Sequence, residues 1–216
     1  MIQSRKHGAR YSKELLNPIA NMLAGCSKII DPFGGTGERL AEIAERVGCK
    51  AIGVEIQPNF IVRHDIVQQG DATSLLFPDC TFDGAVSSPT YGQRTNDNYG
   101  GCEGWNYSTY TAWNGAPLHR NNTGKVKFAS FQYKQLHIEA WQELYRVLLP
   151  GSPFVLNIKD SWQGSNIVPV SQWHYDTLRS IGFIPVRVER VACPGMRNGS
   201  NRDKRIGKEN LILFRK

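Results

Sequence analysis

The chain has 216 residues, 40% of them hydrophobic and 21% charged, with a formal net charge of +7. That length suits a single domain, residues 1–216, with a substantial core, and nothing in it reads as a signal peptide or a transmembrane run. Cys26, Cys49, Cys80, Cys102 and Cys193 are odd in number and form no C-x-x-C pair, so neither a zinc site nor a disulfide framework is indicated and a cytoplasmic location fits, while the positive charge favours a polyanionic partner.

In chain order, residues 12–24 read as a helix capped by Ser12 and bent near Pro18. Lys28-Ile29-Ile30 reads as a short buried strand. Asp31-Pro32-Phe33-Gly34-Gly35-Thr36-Gly37 then leads into a helix, in which Leu40, Ile43, Ala44 and Val47 fall at i, i+3, i+4 and i+7 and which Gly48 ends. A strand, a glycine turn and a helix N-terminus make a site for a polar ligand, because backbone can approach without Cβ clashes and the first N–H groups are unpaired donors. A Walker A loop is discarded: Glu38 follows Gly37 and would repel a triphosphate, and the third glycine of a dinucleotide fingerprint is missing.

Residues 50–56 read as a second strand carrying Glu55 near its end, where a carboxylate can accept both ribose hydroxyls of an adenosine. Asp71 follows the next helical stretch. Residues 82–87 read as a fourth strand, with Ser88-Pro89-Thr90-Tyr91-Gly92 at its C-terminal end. Residues 93–128 have no clear period and form a long substrate-facing or disordered loop. There Tyr99, Trp105, Tyr107, Tyr110 and Trp113 sit among Arg94, His119, Arg120, Lys125 and Lys127, a mixture that suits bases and phosphates. A helix over 131–149 and a fifth strand over 152–158 follow, with Lys159 and Asp160 read as surface. A helix over 168–181 and two strands over 185–192 and 209–215, a hairpin, complete the chain. The connecting loop carries Arg197, Arg202, Lys204, Arg205 and Lys208 with Asp203 as its one acid, and can follow a phosphate backbone. His137 and His174 fall within helices and are expected to form no catalytic constellation.

The 31–37 loop resembles motif I of the class I S-adenosylmethionine-dependent methyltransferases, and Ser88-Pro89-Thr90-Tyr91 resembles motif IV of those that methylate an exocyclic amine of cytosine or adenine. The run before the fifth strand, Arg146 to Phe154, is also common in that class. The resemblance implies an α/β, Rossmann-like fold with a seven-stranded, mostly parallel sheet, an antiparallel last strand, helices on both faces and no separate target-recognition domain. It implies S-adenosylmethionine as cofactor, held by Asp31, Pro32, Phe33, Gly35, Gly37, Glu55 and Asp71, with Asp71 facing the exocyclic amine of its adenine. It places catalysis at Ser88, Pro89, Thr90 and Tyr91. The amine lone pair is delocalised into the base ring, and acceptors on its N–H bonds, Ser88 Oγ and the Pro89 carbonyl, localise it toward the sulfonium methyl. Tyr91 stacks on the extruded base. Thr90 stands where the family has a second proline. Arg94, Arg197, Arg202, Lys204 and Arg205 are the candidate nucleic-acid contacts.

By this resemblance the chain is similar to the small amino-methylating DNA methylases of phages and prophages, with N4 of cytosine the favoured target and N6 of adenine next. An RNA base methyltransferase and a non-catalytic nucleic-acid-binding protein on the same scaffold are the alternatives. No metal and no membrane partner is expected, and the oligomeric state is not indicated.

Overall fold

The computed structural model describes residues 12–92, 117–163, 166–193 and 206–216. Strands β1 (Lys28–Asp31), β2 (Lys50–Glu55), β3 (Val67–Gln69), β4 (Gly84–Ser87), β5 (Pro153–Ile158), β8 (Ile184–Ala192) and β9 (Lys208–Arg215) form a seven-stranded sheet in the order β3-β2-β1-β4-β5-β9-β8. The pairs β1–β2, β1–β4, β2–β3 and β4–β5 are parallel, and β9 is antiparallel to β5 and to β8. The implied sheet is therefore the observed one. Strand order reverses between β1 and β4, and at such a switch point the loops leaving the two strands diverge and open a crevice.

Among the described residues four α-helices flank the sheet: α1 (Leu16–Met22), α2 (Glu38–Val47), α3 (Phe131–Val147) and α4 (Val170–Ile181). Neighbouring residues on a strand face opposite sides, so each strand feeds two cores. Ile29, Val86, Val155 and Leu211 pack with Leu16 and Ile19 of α1 and Leu40 and Ile43 of α2. Ile30, Ala85, Phe154, Leu156 and Ile212 pack with Tyr133, Trp141 and Leu144 of α3 and Val170 and Leu178 of α4. Helix α3 starts where Ser130 Oγ accepts the Tyr133 N–H at 3.1 Å, a side-chain cap for an otherwise orphaned donor.

Local details differ from the sequence expectations. The 12–24 segment is a 3-10 turn, Lys13–Leu15, followed by α1. Ser12 caps nothing; its hydroxyl bonds the Glu14 carboxylate. Pro18 lies in the first turn of α1, where a missing N–H loses no intrahelical bond, so the break falls before the proline rather than at it. No α-helix lies between β2 and Asp71. The link from β2 holds a 3-10 turn, Pro58–Phe60, whose bonds run from Phe60 N to Gln57 O (2.9 Å) and Ile61 N to Pro58 O (3.1 Å). A hairpin, β6 (Ser161–Gln163) with β7 (Asn166–Val168), was not foreseen, and it takes Val168 out of the helix expected from that residue. Of the 93–128 loop, residues 117–128 are described, and they carry a 3-10 turn, Thr123–Lys125, capped by Asn122. No helix among the described residues is long and apolar enough to cross a membrane.

Candidate functional site

The glycine loop leaves β1 at the switch point and lies against β2 and β3. A Cβ on Gly34 would stand 2.9 Å from Gly53 Cα, and one on Gly37 would stand 2.5 Å from Val67 Cγ2. Those two glycines therefore serve close packing. Gly35 differs: its φ is +53° and a Cβ there would meet nothing within 4 Å, so its backbone borders open space where a ligand can approach. Asp31, 3% exposed, anchors the loop start, its Oδ1 accepting from Phe33 N (2.9 Å) and Ser87 Oγ (3.0 Å).

Glu55 closes the other side of this loop. Its Oε2 accepts from Gly35 N at 3.1 Å and its Oε1 from Gln57 N at 2.8 Å. Burial pushes its carboxyl up to about 7, the two backbone donors pull it down, and the neighbouring Asp31 charge raises it again. Asp71 lies just beyond β3. Its Oδ1 accepts from the Thr73 N–H (2.9 Å) and hydroxyl (2.8 Å), and its Oδ2 from Asn121 Nδ2 (2.8 Å). Gln57 Oε1 accepts from His119 N at 3.0 Å, and Leu118 packs on Phe60. Residues 118–121 are thus fastened across the ends of β2 and β3, a contact that nothing in the local sequence pattern announces.

Ser88, Pro89, Thr90 and Tyr91 follow β4, on the far side of the crevice from Glu55. Thr90, the departure from the family pattern, donates from Oγ1 to Thr123 Oγ1 at 2.8 Å, and its carbonyl accepts from the Tyr133 hydroxyl at 2.6 Å. Phe128 N donates to Gly92 O at 3.0 Å, so the chain returns at 128 to where it left at 92. Ser88 Oγ lies 3.3 Å from the Tyr91 hydroxyl and accepts from Asn157 Nδ2 at 3.2 Å; the same nitrogen donates to Glu209 Oε2 at 2.9 Å.

Behind the 88–91 loop His137 and His174 are packed in the core, one of the two placements the sequence left open, and they join a buried hydrogen-bond network there. Trp141 Nε1 can only donate, so His174 Nδ1, 3.1 Å away, accepts. The remaining proton of neutral His174 sits on Nε2 and donates to the Tyr133 hydroxyl at 3.1 Å, which in turn donates to the Thr90 carbonyl. His137 Nδ1 donates to the Tyr133 carbonyl at 2.8 Å. Burial pushes His137 down to about 4 and His174 well below its ordinary value, and the proximity of His137 adds to the latter. The His137 ring stands 5.0 Å from that of His174 and 5.5 Å from that of Phe33. One chain of contacts, buried through its middle, therefore runs from the first loop to the second.

The structure brings together Asp31, Phe33, Gly35 and Glu55 on one side of the crevice and Ser88 to Tyr91 on the other, with Asp71 at its β3 end. Arg94, Arg197, Arg202, Lys204 and Arg205 lie outside the described residues. Asn157, Glu209, Asn121 and Tyr133 went unread in the sequence; only Asn157 left a signal, as a polar residue inside an apolar strand run. Asp160 is more than surface, since its Oδ1 accepts the Ser171 N–H at 2.8 Å in the first turn of α4. No cluster of three potential metal ligands occurs among the described residues.

No protein-family profile matches the chain. Over 90 residues, 36% of the chain, it is 32% identical to a tRNA (guanine(10)-N2)-dimethyltransferase from Pyrococcus abyssi, and the match spans 27% of that protein's length. Among solved structures it is similar to a SAM-dependent methyltransferase from Methanosarcina mazei, with TM-score 0.59, 14% identity, and 92% of this chain and 96% of that chain covered. A similar likeness holds to the cyclase SpnF, with TM-score 0.57, 16% identity, and 100% of this chain and 88% of that chain covered. The fold is that of the class I methyltransferases; a methyltransferase and a cyclase share it, so the chemistry has to be argued from the site.

Proposed function

We propose that the protein transfers the methyl group of S-adenosylmethionine to the exocyclic amine of a nucleic-acid base. The observation that carries this reading is the half-exposed Ser88 hydroxyl at the end of β4, across the β1/β4 switch point from a glycine loop tied to Glu55. The residues fit the cofactor. Gly35 offers a backbone face with space beside it, Glu55 offers carboxylate oxygens for ribose hydroxyls, and Asp71 offers an acceptor for the adenine amine. When bound, the cofactor supplies an electrophilic methyl on a sulfonium. The chain's part is to place the amine in line with it and to accept the amine hydrogens, through Ser88 Oγ and the Pro89 carbonyl, while Tyr91 supports the base.

A nucleic-acid partner is favoured by the rim of this site. Between Glu103 and Glu139 the sequence has no acid. Arg120 and Lys127 are exposed, and Phe131 is 81% exposed at the start of α3. The hydrogen bonds of Asn121 to Asp71 and of Thr123 to Thr90 hold this stretch at the crevice. Cations there suit phosphates, and an exposed ring suits an unstacked base.

DNA, with N4 of cytosine ahead of N6 of adenine, is the first reading of the target, because the residue before Pro89 is a serine rather than Asp or Asn. An RNA base is the second, favoured by the tRNA-modifying relative, whose named target is also an exocyclic amine. Incubating DNA and RNA separately with methyl-labelled cofactor, then digesting each to nucleosides, tests both. A labelled N-methyl base in one polymer supports the reading and names the substrate. Absence of label from both would refute it.

A further inference from the structure

We infer that Glu209 and Asn157 hold the Ser88 hydroxyl in a hydrogen-bond-accepting state and so make the site selective for an amine over a carbonyl at the reacting position. This rests on the function proposed above and adds two positioning residues to it.

Asn157 lies near the end of β5 and is 1% exposed. One of its amide hydrogens goes to Glu209 Oε2 at 2.9 Å and the other to Ser88 Oγ at 3.2 Å. Its own oxygen, Oδ1, is buried and has no partner among the described residues. A buried acceptor left unpaired is unfavourable, and an apolar side chain would avoid it. Packing alone thus gives no reason for an asparagine here. The flipped amide offers no relief, because it would set Oδ1 against the Glu209 carboxylate, acceptor against acceptor. Glu209 therefore fixes which end of the amide faces Ser88.

A serine hydroxyl has one hydrogen and two lone pairs. Asn157 occupies one lone pair. Either oxygen of the Ser88–Tyr91 pair, 3.3 Å apart, could donate; in the proposed arrangement the Ser88 hydrogen goes to Tyr91. In that arrangement one lone pair remains, on a half-buried side chain, and it can meet only a donor. An amine of cytosine, adenine or guanine offers an N–H there; a base with a carbonyl at that point offers a second acceptor and is repelled. Without the lock, the amide could turn, Ser88 could donate to Oδ1 or to a carbonyl, and this discrimination would weaken.

The test is a set of variants of the full chain, read for methyl transfer to DNA and RNA and for cofactor affinity by calorimetry. Asn157→Ala and Glu209→Ala should each slow transfer about tenfold, the rate equivalent of roughly one hydrogen bond, with cofactor affinity unchanged. Glu209→Gln, whose amide oxygen still accepts from Asn157, should restore most of the rate. Combined with Ser88→Ala, Asn157→Ala should add no further loss, because its effect passes through Ser88. Fully multiplicative effects of Asn157→Ala and Ser88→Ala, a Glu209→Gln variant as slow as Glu209→Ala, or a parallel loss of cofactor affinity would overturn the assignment while leaving the proposed function intact. A wild-type chain that methylates neither polymer would overturn both.

Discussion

The two faces of the sheet are built from different chemistry. The core beneath α1 and α2 is largely aliphatic, with Leu15, Leu16, Ile19, Leu23, Leu40 and Ile43 against Ile29, Val86, Val155 and Leu211, and among the described residues it contains no buried aromatic ring. The core beneath α3 and α4 contains Phe82, Tyr133, Trp141, Phe154, Phe183 and Phe214, with His137 and His174 buried beside them. Aliphatic groups attract without direction, so the first face can only hold the sheet together. Aromatic rings with N–H and O–H groups have geometry, and on the second face that geometry reaches the Thr90 carbonyl. One face supplies stability and the other also sets the shape of the site.

The largest effects separate the two faces by what they leave intact. Trp141→Ala should cost about 3–5 kcal/mol, and Ile19→Ala about 2–5 kcal/mol, in denaturant unfolding. The comparison predicts that the folded fraction of the Ile19 variant keeps its methyl-transfer rate, whereas the Trp141 variant loses rate as well, since His174 Nδ1 has lost its donor. Equal specific activities would dissolve the distinction.

Acid should act through the second face. His137 is neutral and buried, with its pKa lowered from 6.5 to about 4, so between those values the unfolded chain binds the extra proton. Its share of stability is full above about pH 6.5 and is lost as pH falls toward 4, on the order of 3 kcal/mol. His137→Phe should flatten that part of the stability profile, which unfolding curves from pH 4 to 7 would reveal; an unchanged slope would place the titrating groups elsewhere.

Smaller changes sharpen the link to the 88–91 loop. Tyr133→Phe removes the hydroxyl between His174 and the Thr90 carbonyl and should cost about 1–3 kcal/mol, with a slower transfer rate at unchanged cofactor affinity. Thr90→Val removes the bond to Thr123 and should cost about 0.5–1.5 kcal/mol, the least of the set. A Thr90→Val penalty larger than that of Tyr133→Phe, in the same melts, would mean that the returning segment rather than the buried chain holds the loop.

The parts legible in the sequence are those that local period and turn chemistry determine. The 28–30 strand, the glycine loop and the apolar stripe of α2 are all local, and Glu55 follows from strand order. The helix expected over 131–149, found at Phe131–Val147, and the β8–β9 pair are equally readable. What escaped reading is long-range. Asp71 meets Asn121 fifty positions away and Ser88 meets Asn157 sixty-nine away. No periodicity encodes such pairs, and His137 and His174 look like two unrelated helix residues until the sheet brings α3 and α4 together. Where a helix was expected before Asp71, the link holds a single 3-10 turn, Pro58–Phe60, which ends as Ile61 turns extended.

The most direct test of the central claim is mass spectrometry of nucleosides from DNA and from RNA treated with isotopically labelled S-adenosylmethionine, for the wild type and for Ser88→Ala. The account predicts label on an exocyclic nitrogen, N4-methylcytosine first, and a loss of about a hundredfold or more in the variant. Label on a ring carbon, as in 5-methylcytosine, or an N-methyl product formed equally fast by Ser88→Ala, would contradict it.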